Sequence, residues 1–533
     1  MRERVEQSNA VTQSSIVRAR LRVYFIRGQC LPGTLSFALV KQNPASLPPM
    51  PQTSGKFMAA QSQTAITPAP ARDTVAELIS RARVAQAVFQ SYSQAQLDEV
   101  ATAAGWAIME PARNRALAEL AVQDTGLGNV ADKITKNHRK TLGLMRDLVG
   151  ARTTGVIADH PDTGITEIAR PVGVVAAVVP STNPGATPAN NIINALKCGN
   201  AVILSPSPKG HSTSAMLVAY MHAELQRVGA PLDLVQLLPA PVTKESSTEL
   251  MRQADLVVVT GSQANVRAGY SSGKPALGVG AGNVAVIVDE SADVADAAAK
   301  IMASKTFDNA TSCSSENSVI VHARVYDAML AALAAQGAAL LTAAEKATLQ
   351  KAMFPGGHLS PAVTAQSVGR ICAVAGLARA ALARAKCLLV EETGTGRDFP
   401  FSGEKLSPVL TVYRATDFDH AFSTLRAIYA YMGNGHSCGI YSENEDHIRR
   451  LGLEMTVCRV IVKQAHAFAT GGSFDNGLPF SLSMGCGTWG GNSFSENLHY
   501  KHFLNITRIV RTIPPREPSV DHIFGAYKDK YKI

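Results

Sequence analysis

Residues 171–180 read PVGVVAAVVP, an uninterrupted apolar run of strand length. A strand without polar alternation is typical of a parallel sheet that is covered on both faces. A polar turn follows at residues 181–184, and then a helix is predicted at 190–196. Further strands are predicted at residues 201–204, 234–238 and 255–259, with a helix at 213–227 between the first two. This alternation predicts an open parallel α/β sheet, whose strand C-termini conventionally bind a dinucleotide.

Length and composition describe a globular protein with more than one core. At 533 residues the chain is too long for a single core, so two domains with small appendages are expected. Only 17% of the residues are charged, which excludes a disordered polyelectrolyte. No stretch approaches the roughly 18 apolar residues that a membrane span needs, so we expect no membrane partner.

The charge and the cysteines narrow the class of ligand. The net charge of +9 comes from scattered lysines and arginines, which argues against a nucleic-acid partner and suits small anionic ligands. The eight cysteines form neither a C-x-x-C pair nor a Cys/His metal pattern. We therefore expect reduced thiols, no metal and a cytoplasmic location.

Residues 1–66 differ in composition from the rest of the chain. Four arginines lie among apolar residues, and a Pro-rich stretch follows at 44–51. The order of regions that defines a secretory signal is missing. We expect an N-terminal extension that is disordered or outside the native product. An organellar presequence and an over-extended reading frame, with initiation at Met58, are the open alternatives.

One cysteine stands out by its neighbours. Cys313 is flanked by four hydroxyl residues, between an Ala-rich helical segment and the apolar run 318–321; they are Thr311, Ser312, Ser314 and Ser315. Small polar residues beside a buried strand place a thiol for nucleophilic attack, and a loop of backbone amides can lower its pKa. Taken alone, the segment also fits a buried structural cysteine.

Six short motifs occur in a fixed order along the chain. They are Thr182-Asn183-Pro184, Lys197-Cys198-Gly199-Asn200, Thr260-Gly261-Ser262, the Cys313 segment, Glu404-Lys405-Leu406-Ser407-Pro408 and a Gly-rich tail at 485–493. Their order and spacing resemble the aldehyde dehydrogenase superfamily over residues 70–510. Within it, residues 270–275, 278–283, 433–437 and 489–493 are similar to the CoA-acylating branch. That branch converts a short aldehyde, CoA and NAD(P)+ into an acyl-CoA and NAD(P)H.

The resemblance implies an aldehyde dehydrogenase-like α/β fold with two open α/β domains and small oligomerisation segments. We expect the dinucleotide-binding domain at residues 67–283 and the catalytic domain at 284–470, with the active site in the cleft between them. Residues 471–533 are expected to return to the cofactor domain and to the oligomer interface of a homodimer or homotetramer.

The resemblance also implies roles for residues around Cys313. Its thiolate would attack the aldehyde, and the oxyanion would be stabilised by the Asn183 amide and the Cys313 backbone N–H; one lost donor typically costs about 10²–10³ in rate. Glu404 would hold the nicotinamide ribose. His436 would aid proton transfer, or else be a loop histidine with one hydrogen bond. The expected cofactor contacts are Ser181, Thr182, Ser205, Ser207, Lys209, Gly261, Ser262, Gly278 and Gly280.

Gly278 stands where hydrolytic relatives place the glutamate that activates water. With no base there, and with a vacant volume in its place, we expect the thioester on Cys313 to pass to the thiol of CoA. Thiol attack on a thioester needs little base assistance. A hydrolytic aldehyde dehydrogenase is the less favoured alternative.

The predictions of which dinucleotide and which aldehyde bind depend on fewer residues. No acid follows residues 201–204, where NAD-selective members bind the ribose hydroxyl, and Lys209 permits a 2′-phosphate. We therefore expect NADP, with NAD as the alternative. The hydroxyls beside Cys313 would be left unpaired by an apolar aldehyde, unless some of them cap a helix or point away from the pocket. We expect the anionic sulfoacetaldehyde as substrate, with acetaldehyde as the alternative.

Overall fold

The structure is a computed structural model that describes residues 71–533. The predicted extension at residues 1–66 lies outside the described residues. The described chain starts with four helices. They are α1 (Ala71–Phe89), α2 (Gln94–Met109), α3 (Pro111–Thr125) and α4 (Val130–Leu148). Their starts follow local rules: Ser93 and Gln96 form a capping box before α2, and Pro111 occupies the first turn of α3.

Fifteen strands follow in the described part of the chain. In chain order they are β1 (Gly155–His160), β2 (Ile165–Pro171), β3 (Val174–Val179), β4 (Ala201–Pro206), β5 (Val235–Leu237), β6 (Leu256–Thr260), β7 (Ala276–Val279), β8 (Val284–Val288), β9 (Glu316–His322), β10 (Ala338–Leu340), β11 (Cys387–Glu391), β12 (Val409–Ala415), β13 (Cys438–Tyr441), β14 (Val460–Val462) and β15 (Leu504–Val510).

Thirteen further helices of the described chain lie between and after the strands. They are α5 (Ala186–Lys197), α6 (His211–Arg227), α7 (Lys244–Gln253), α8 (Gln263–Tyr270), α9 (Val294–Thr306), α10 (Tyr326–Ala335), α11 (Ala343–Met353), α12 (Val368–Ala375), α13 (Ala380–Ala383), α14 (Phe418–Tyr431), α15 (Glu445–Glu454), α16 (His466–Ala469) and α17 (Val520–Tyr531).

The strands form three sheets. Five parallel strands have the order β5-β4-β3-β6-β7, and seven parallel strands have the order β10-β11-β12-β9-β8-β13-β14. The third sheet, β1-β2-β15, is antiparallel. Strand β3 is the centre of the five-stranded sheet, and all its residues are buried. The parallel strand predicted from residues 171–180 is therefore confirmed.

The chain passes from one parallel sheet to the other between Val279 and Val284. Near its end it returns, because four side chains beyond residue 470 belong to the same core as the five-stranded sheet; they are Phe480, Phe494, Leu498 and Phe503. Strand β15 then pairs with β2. Among the helices within residues 71–533, none has the length and apolar character needed to cross a membrane.

Candidate active site

A pocket of about 300 Å³ opens where the C-terminal ends of β3 and β6 meet the loop before β9. Parallel strands bring their C-termini to one edge, so the segments after β3 and β6 lie side by side. Cys313 lies in the loop and lines the pocket, together with Asn183 and Glu404. The structure therefore brings together three of the four predicted catalytic residues as lining groups, and it places the fourth, His436, against the Cys313 sulfur.

The loop that carries Cys313 has an unusual backbone. Asp308, Asn309 and Ala310 have φ angles of 50°, 50° and 58°, in the left-handed region that non-glycine residues rarely adopt. Three such residues in succession persist only if their surroundings hold them. The Asn309 amide donates to the carbonyl oxygens of Gly128 and Ala365, both at 3.3 Å. The Asp308 carboxylate holds the other side of the turn.

The sulfur of Cys313 lies 3.4 Å from Nε2 of His436, whose Nδ1 lies 2.7 Å from the Ser437 hydroxyl. Burial, and secondly the nearby Glu404 carboxyl, raise the pKa of the Cys313 thiol to about 12. Burial, and secondly the Arg459 guanidinium, lower the pKa of His436 to about 3. Both groups are neutral at pH 7. The imidazole is thus in the form that accepts a proton from the thiol.

The expected effect of the loop amides on the thiol is present but outweighed. The Ser314 side chain and the Cys313 backbone N–H each lower the pKa of the thiol, whereas burial raises it by more.

Close approach of the thiol loop and the histidine requires a glycine at 282. A Cβ there would lie 2.6 Å from the Cys313 carbonyl oxygen and 3.0 Å from His436 Cδ2.

Asn183 is oriented by a buried lysine. Its Oδ1 accepts a hydrogen bond of 2.9 Å from Lys136 Nζ, which also donates to Asp308 and, at 3.0 Å, to the Thr311 hydroxyl. Asp308 further accepts from Lys133 at 3.1 Å and from Thr311 at 2.6 Å. Because Oδ1 faces the ammonium, the amide NH2 of Asn183 points the other way. Among the described residues it has no protein acceptor, as an oxyanion donor requires.

Glu404 lines the same pocket. Burial raises the pKa of its carboxyl to about 8, although the Gly282 N–H, which bonds to it, lowers the pKa. The carboxyl is therefore largely protonated at pH 7. In this form it neither repels an anionic ligand nor serves as a strong base for water.

The predicted cofactor contacts divide into two groups. Five of them line the pocket: Ser181, Thr182, Gly261, Ser262 and Gly280. The other four lie outside its lining, three of them at the C-terminal end of β4; they are Ser205, Ser207, Lys209 and Gly278. Since β4 pairs with β3 in parallel, this end lies on the same sheet edge as the pocket. These positions lie at the carboxyl ends of parallel strands, the edge at which α/β sheets commonly bind a dinucleotide, and Lys209 is exposed there.

One detail of the sequence interpretation is wrong, and one open alternative is decided. The volume next to Gly278 is not vacant, because a Cβ there would lie 2.7 Å from Val266 and 3.0 Å from the Tyr270 ring. Of the four hydroxyls beside Cys313, only some can serve a ligand, as the alternative allowed. The Thr311 hydroxyl is bound to Asp308, and Ser315 is outside the pocket lining, which leaves Ser312 and Ser314.

Three charged residues near the pocket were missed by the sequence interpretation. Lys136 and Lys140 lie one turn apart on α4, and Asp308 precedes the thiol by five positions. The available signal was the spacing of polar residues on α4, where Lys133, Lys136 and Asn137 are all buried. Buried lysines at helical spacing indicate a polar interface rather than a solvated face.

Fold and pocket together define an α/β enzyme with a thiol between two open parallel sheets. The family model described as "Aldehyde dehydrogenase family" matches residues 57–477. A relative from Cupriavidus necator, named "Sulfoacetaldehyde dehydrogenase (acylating)", is 64% identical over 86% of this chain and 93% of its own. A relative of the same name from Bilophila wadsworthia is 42% identical over 86% of this chain and 99% of its own.

The solved structures agree with the sequence relatives. The crystal structure of an acetylating aldehyde dehydrogenase from Geobacillus thermoglucosidasius superposes with a TM-score of 0.81 at 33% identity, covering 84% of this chain and 98% of that one. The chain belongs to the aldehyde dehydrogenase family. The family and the α/β fold class predicted from the sequence are both confirmed.

Proposed function

We propose that the protein is a CoA-acylating aldehyde dehydrogenase, which converts sulfoacetaldehyde, CoA and NAD(P)+ into sulfoacetyl-CoA, NAD(P)H and a proton. The observation that carries the proposal is the pair Cys313 and His436, 3.4 Å apart, beside a pocket whose described lining contains Glu404 as its single carboxyl group. The identity of 64% with an acylating sulfoacetaldehyde dehydrogenase supports the substrate.

The residues of this chain act in the following order. His436 takes the proton of Cys313 while the sulfur bonds to the aldehyde carbon and the C=O π pair moves to oxygen. The Asn183 amide donates to that oxyanion, and Lys136 keeps the amide in orientation. When bound, the nicotinamide supplies the acceptor for the hydride, which leaves a thioester on Cys313 and lets His436 release its proton.

The second half of the reaction transfers the acyl group to CoA and regenerates the thiol of Cys313. His436 takes the proton of the CoA thiol, the CoA sulfur bonds to the thioester carbon, and the bond to Cys313 breaks. The departing thiolate then receives the proton from His436. Water competes poorly, because Glu404, the single carboxyl group of the described lining, has a pKa raised to about 8 and is largely protonated at neutral pH.

The choice of dinucleotide and the oligomeric state are inferred from features outside the pocket. The segment after β4 carries Lys209 and no acid, which favours NADP over NAD. Helix α17 has no buried residue and exposes five large apolar side chains by more than half, namely Val520, Ile523, Phe524, Tyr527 and Tyr531. A second copy that covers this helix would give a homodimer or homotetramer. We place the enzyme in the cytoplasm. Within each copy, residues 67–283 form the cofactor domain and residues 284–470 the catalytic domain.

Replacing Cys313 by alanine tests the proposed function. We expect CoA-dependent NAD(P)H formation from sulfoacetaldehyde to fall by at least about 10⁴-fold, because no other group can form the thioester. Cys372→Ala, a buried thiol on α12 away from the pocket, is the matched control and should retain activity. Oxidation of the aldehyde to a free acid at an undiminished rate without CoA would contradict the proposal.

A further inference from the structure

One cation lines the pocket without an anionic partner. Lys140, partly buried on α4, contributes to the same lining as Cys313. Its Nζ donates to the Gly471 carbonyl oxygen at 2.6 Å and lies 5.5 Å from the centre of the Phe480 ring. Within residues 71–533 no carboxylate lies within ion-pair distance of this ammonium. Such a group keeps donors free for a ligand that carries negative charge.

A second polar group of the lining is also unpaired. Thr187, in the first turn of α5, is 1% exposed, and its hydroxyl has no hydrogen-bond partner within the described structure. A buried hydroxyl without a partner destabilises the protein, so a ligand oxygen that accepts from it would remove that penalty. The cavity therefore holds an unpaired threonine hydroxyl and a lysine whose ammonium has N–H groups left beyond the one bonded to Gly471.

The Lys140 ammonium is close enough to the Cys313 sulfur to interact with it electrostatically. Ionisation of Cys313 raises the pKa of Lys140, whereas burial, and then Arg139 and Lys136, lower it to about 7. A cation held this way gains stability from any anion that enters the pocket. The other titratable lining group, Glu404, is largely protonated at pH 7 and does not oppose that anion.

We propose that Lys140, assisted by the Thr187 hydroxyl, binds the sulfonate of the aldehyde substrate and thereby selects sulfoacetaldehyde over uncharged aldehydes. The inference rests on the proposed function and names the specificity-determining residue. Asn183 holds the carbonyl oxygen at one end of the short substrate, and Lys140 holds the sulfonate oxygens at the other. Two fixed ends place the carbonyl carbon next to Cys313.

The test compares sulfoacetaldehyde with propionaldehyde, in which a methyl group replaces the sulfonate. For Lys140→Met we expect kcat/KM for sulfoacetaldehyde to fall about 100-fold, because a charge-assisted contact is lost, while kcat/KM for propionaldehyde changes less than about threefold. Lys140→Arg retains the charge and should keep most of the preference. Lys300→Met, which removes a surface charge paired only with Asp296, is the matched control and should change neither value.

Binding without turnover provides an independent readout. Ethanesulfonate should inhibit propionaldehyde oxidation competitively in the wild type, and about 10- to 100-fold more weakly in Lys140→Met. Lys140→Gln, which can still donate to the Gly471 carbonyl oxygen, replaces Lys140→Met in both assays if the latter does not fold. Thr187→Val should weaken sulfonate binding about fivefold.

The outcomes separate the two proposals. If the wild type shows no preference for sulfoacetaldehyde, the proposed substrate is wrong, and inhibition by ethanesulfonate alone then decides the role of Lys140. If the wild type prefers sulfoacetaldehyde and the folded Lys140 variants keep that preference, Lys140 does not bind the sulfonate. Equal losses with both aldehydes would likewise overturn the inference and assign Lys140 to the acyl chemistry.

Discussion

The polar groups at the pocket form two sets of opposite character, each with one lysine of α4, and we call each set a wall. On the wall around Asn183, the Lys136 ammonium is bonded to Asp308, Thr311 and Asn183 itself. On the other wall, Lys140 and Thr187 have donors that no side chain accepts. Four positions separate the two lysines. The Lys136 ammonium thus has three acceptors without a ligand, whereas Lys140 and Thr187 gain acceptors from one.

This difference separates two tasks of a small active site. A fully bonded network fixes the orientation of a group, which is what an oxyanion donor needs before the reaction starts. Unpaired donors contribute nothing to orientation but lower the free energy of a ligand that pairs them. Substitutions in the paired wall should therefore lower the turnover of all aldehydes equally. Substitutions in the unpaired wall should lower the turnover of anionic aldehydes.

The largest effect is expected from Asn183→Ala. Loss of the amide donor should lower kcat by about 10²–10³-fold for sulfoacetaldehyde and for propionaldehyde alike. Steady-state kinetics with both aldehydes at saturating CoA measures this, and an unchanged melting temperature excludes unfolding. A loss confined to sulfoacetaldehyde would show that the two walls do not divide the tasks in this way.

A smaller effect is expected from Lys136→Gln. The glutamine leaves Asp308 bonded to Lys133 but holds the Asn183 amide less firmly, so kcat should fall about 30-fold with both aldehydes, while KM for CoA is unchanged. Alkylation of Cys313 by iodoacetamide should keep its wild-type rate, since the Cys313–His436 contact is untouched. A parallel loss of alkylation would point to collapse of the thiol loop instead.

The smallest effect is a change of selectivity with pH. Burial, Arg139 and Lys136 lower the pKa of Lys140 to about 7, and an ionised Cys313 opposes them. The ammonium is present below this pKa and lost above it. The ratio of kcat/KM for sulfoacetaldehyde to that for propionaldehyde should therefore fall about tenfold between pH 6 and pH 8, because the charged fraction of Lys140 falls from about nine-tenths to about one-tenth. In Lys140→Met the ratio should be low and independent of pH.

The sequence predicts features that neighbouring residues determine. Strand β3 can be predicted because its apolar residues are consecutive in the sequence. Cys313 can be predicted as the nucleophile because its hydroxyl neighbours are also adjacent in the sequence. The Lys136–Asp308 pair joins residues 172 positions apart, so no local pattern predicts it. The filled space at Gly278 depends on the rotation of α8, which sets where Val266 and Tyr270 point. Tertiary packing thus decides which polar residues meet the substrate.

The return of the chain to its first sheet has a consequence for synthesis on the ribosome. Arg508 of β15 bonds to Glu167 of β2, 341 positions earlier, and Phe480, Phe494, Leu498 and Phe503 complete the core of the five-stranded sheet. A nascent chain therefore carries an unfinished apolar surface until residues 480–510 have been synthesised. Translation that stops near residue 470 should yield an aggregation-prone fragment rather than a separable nucleotide-binding module.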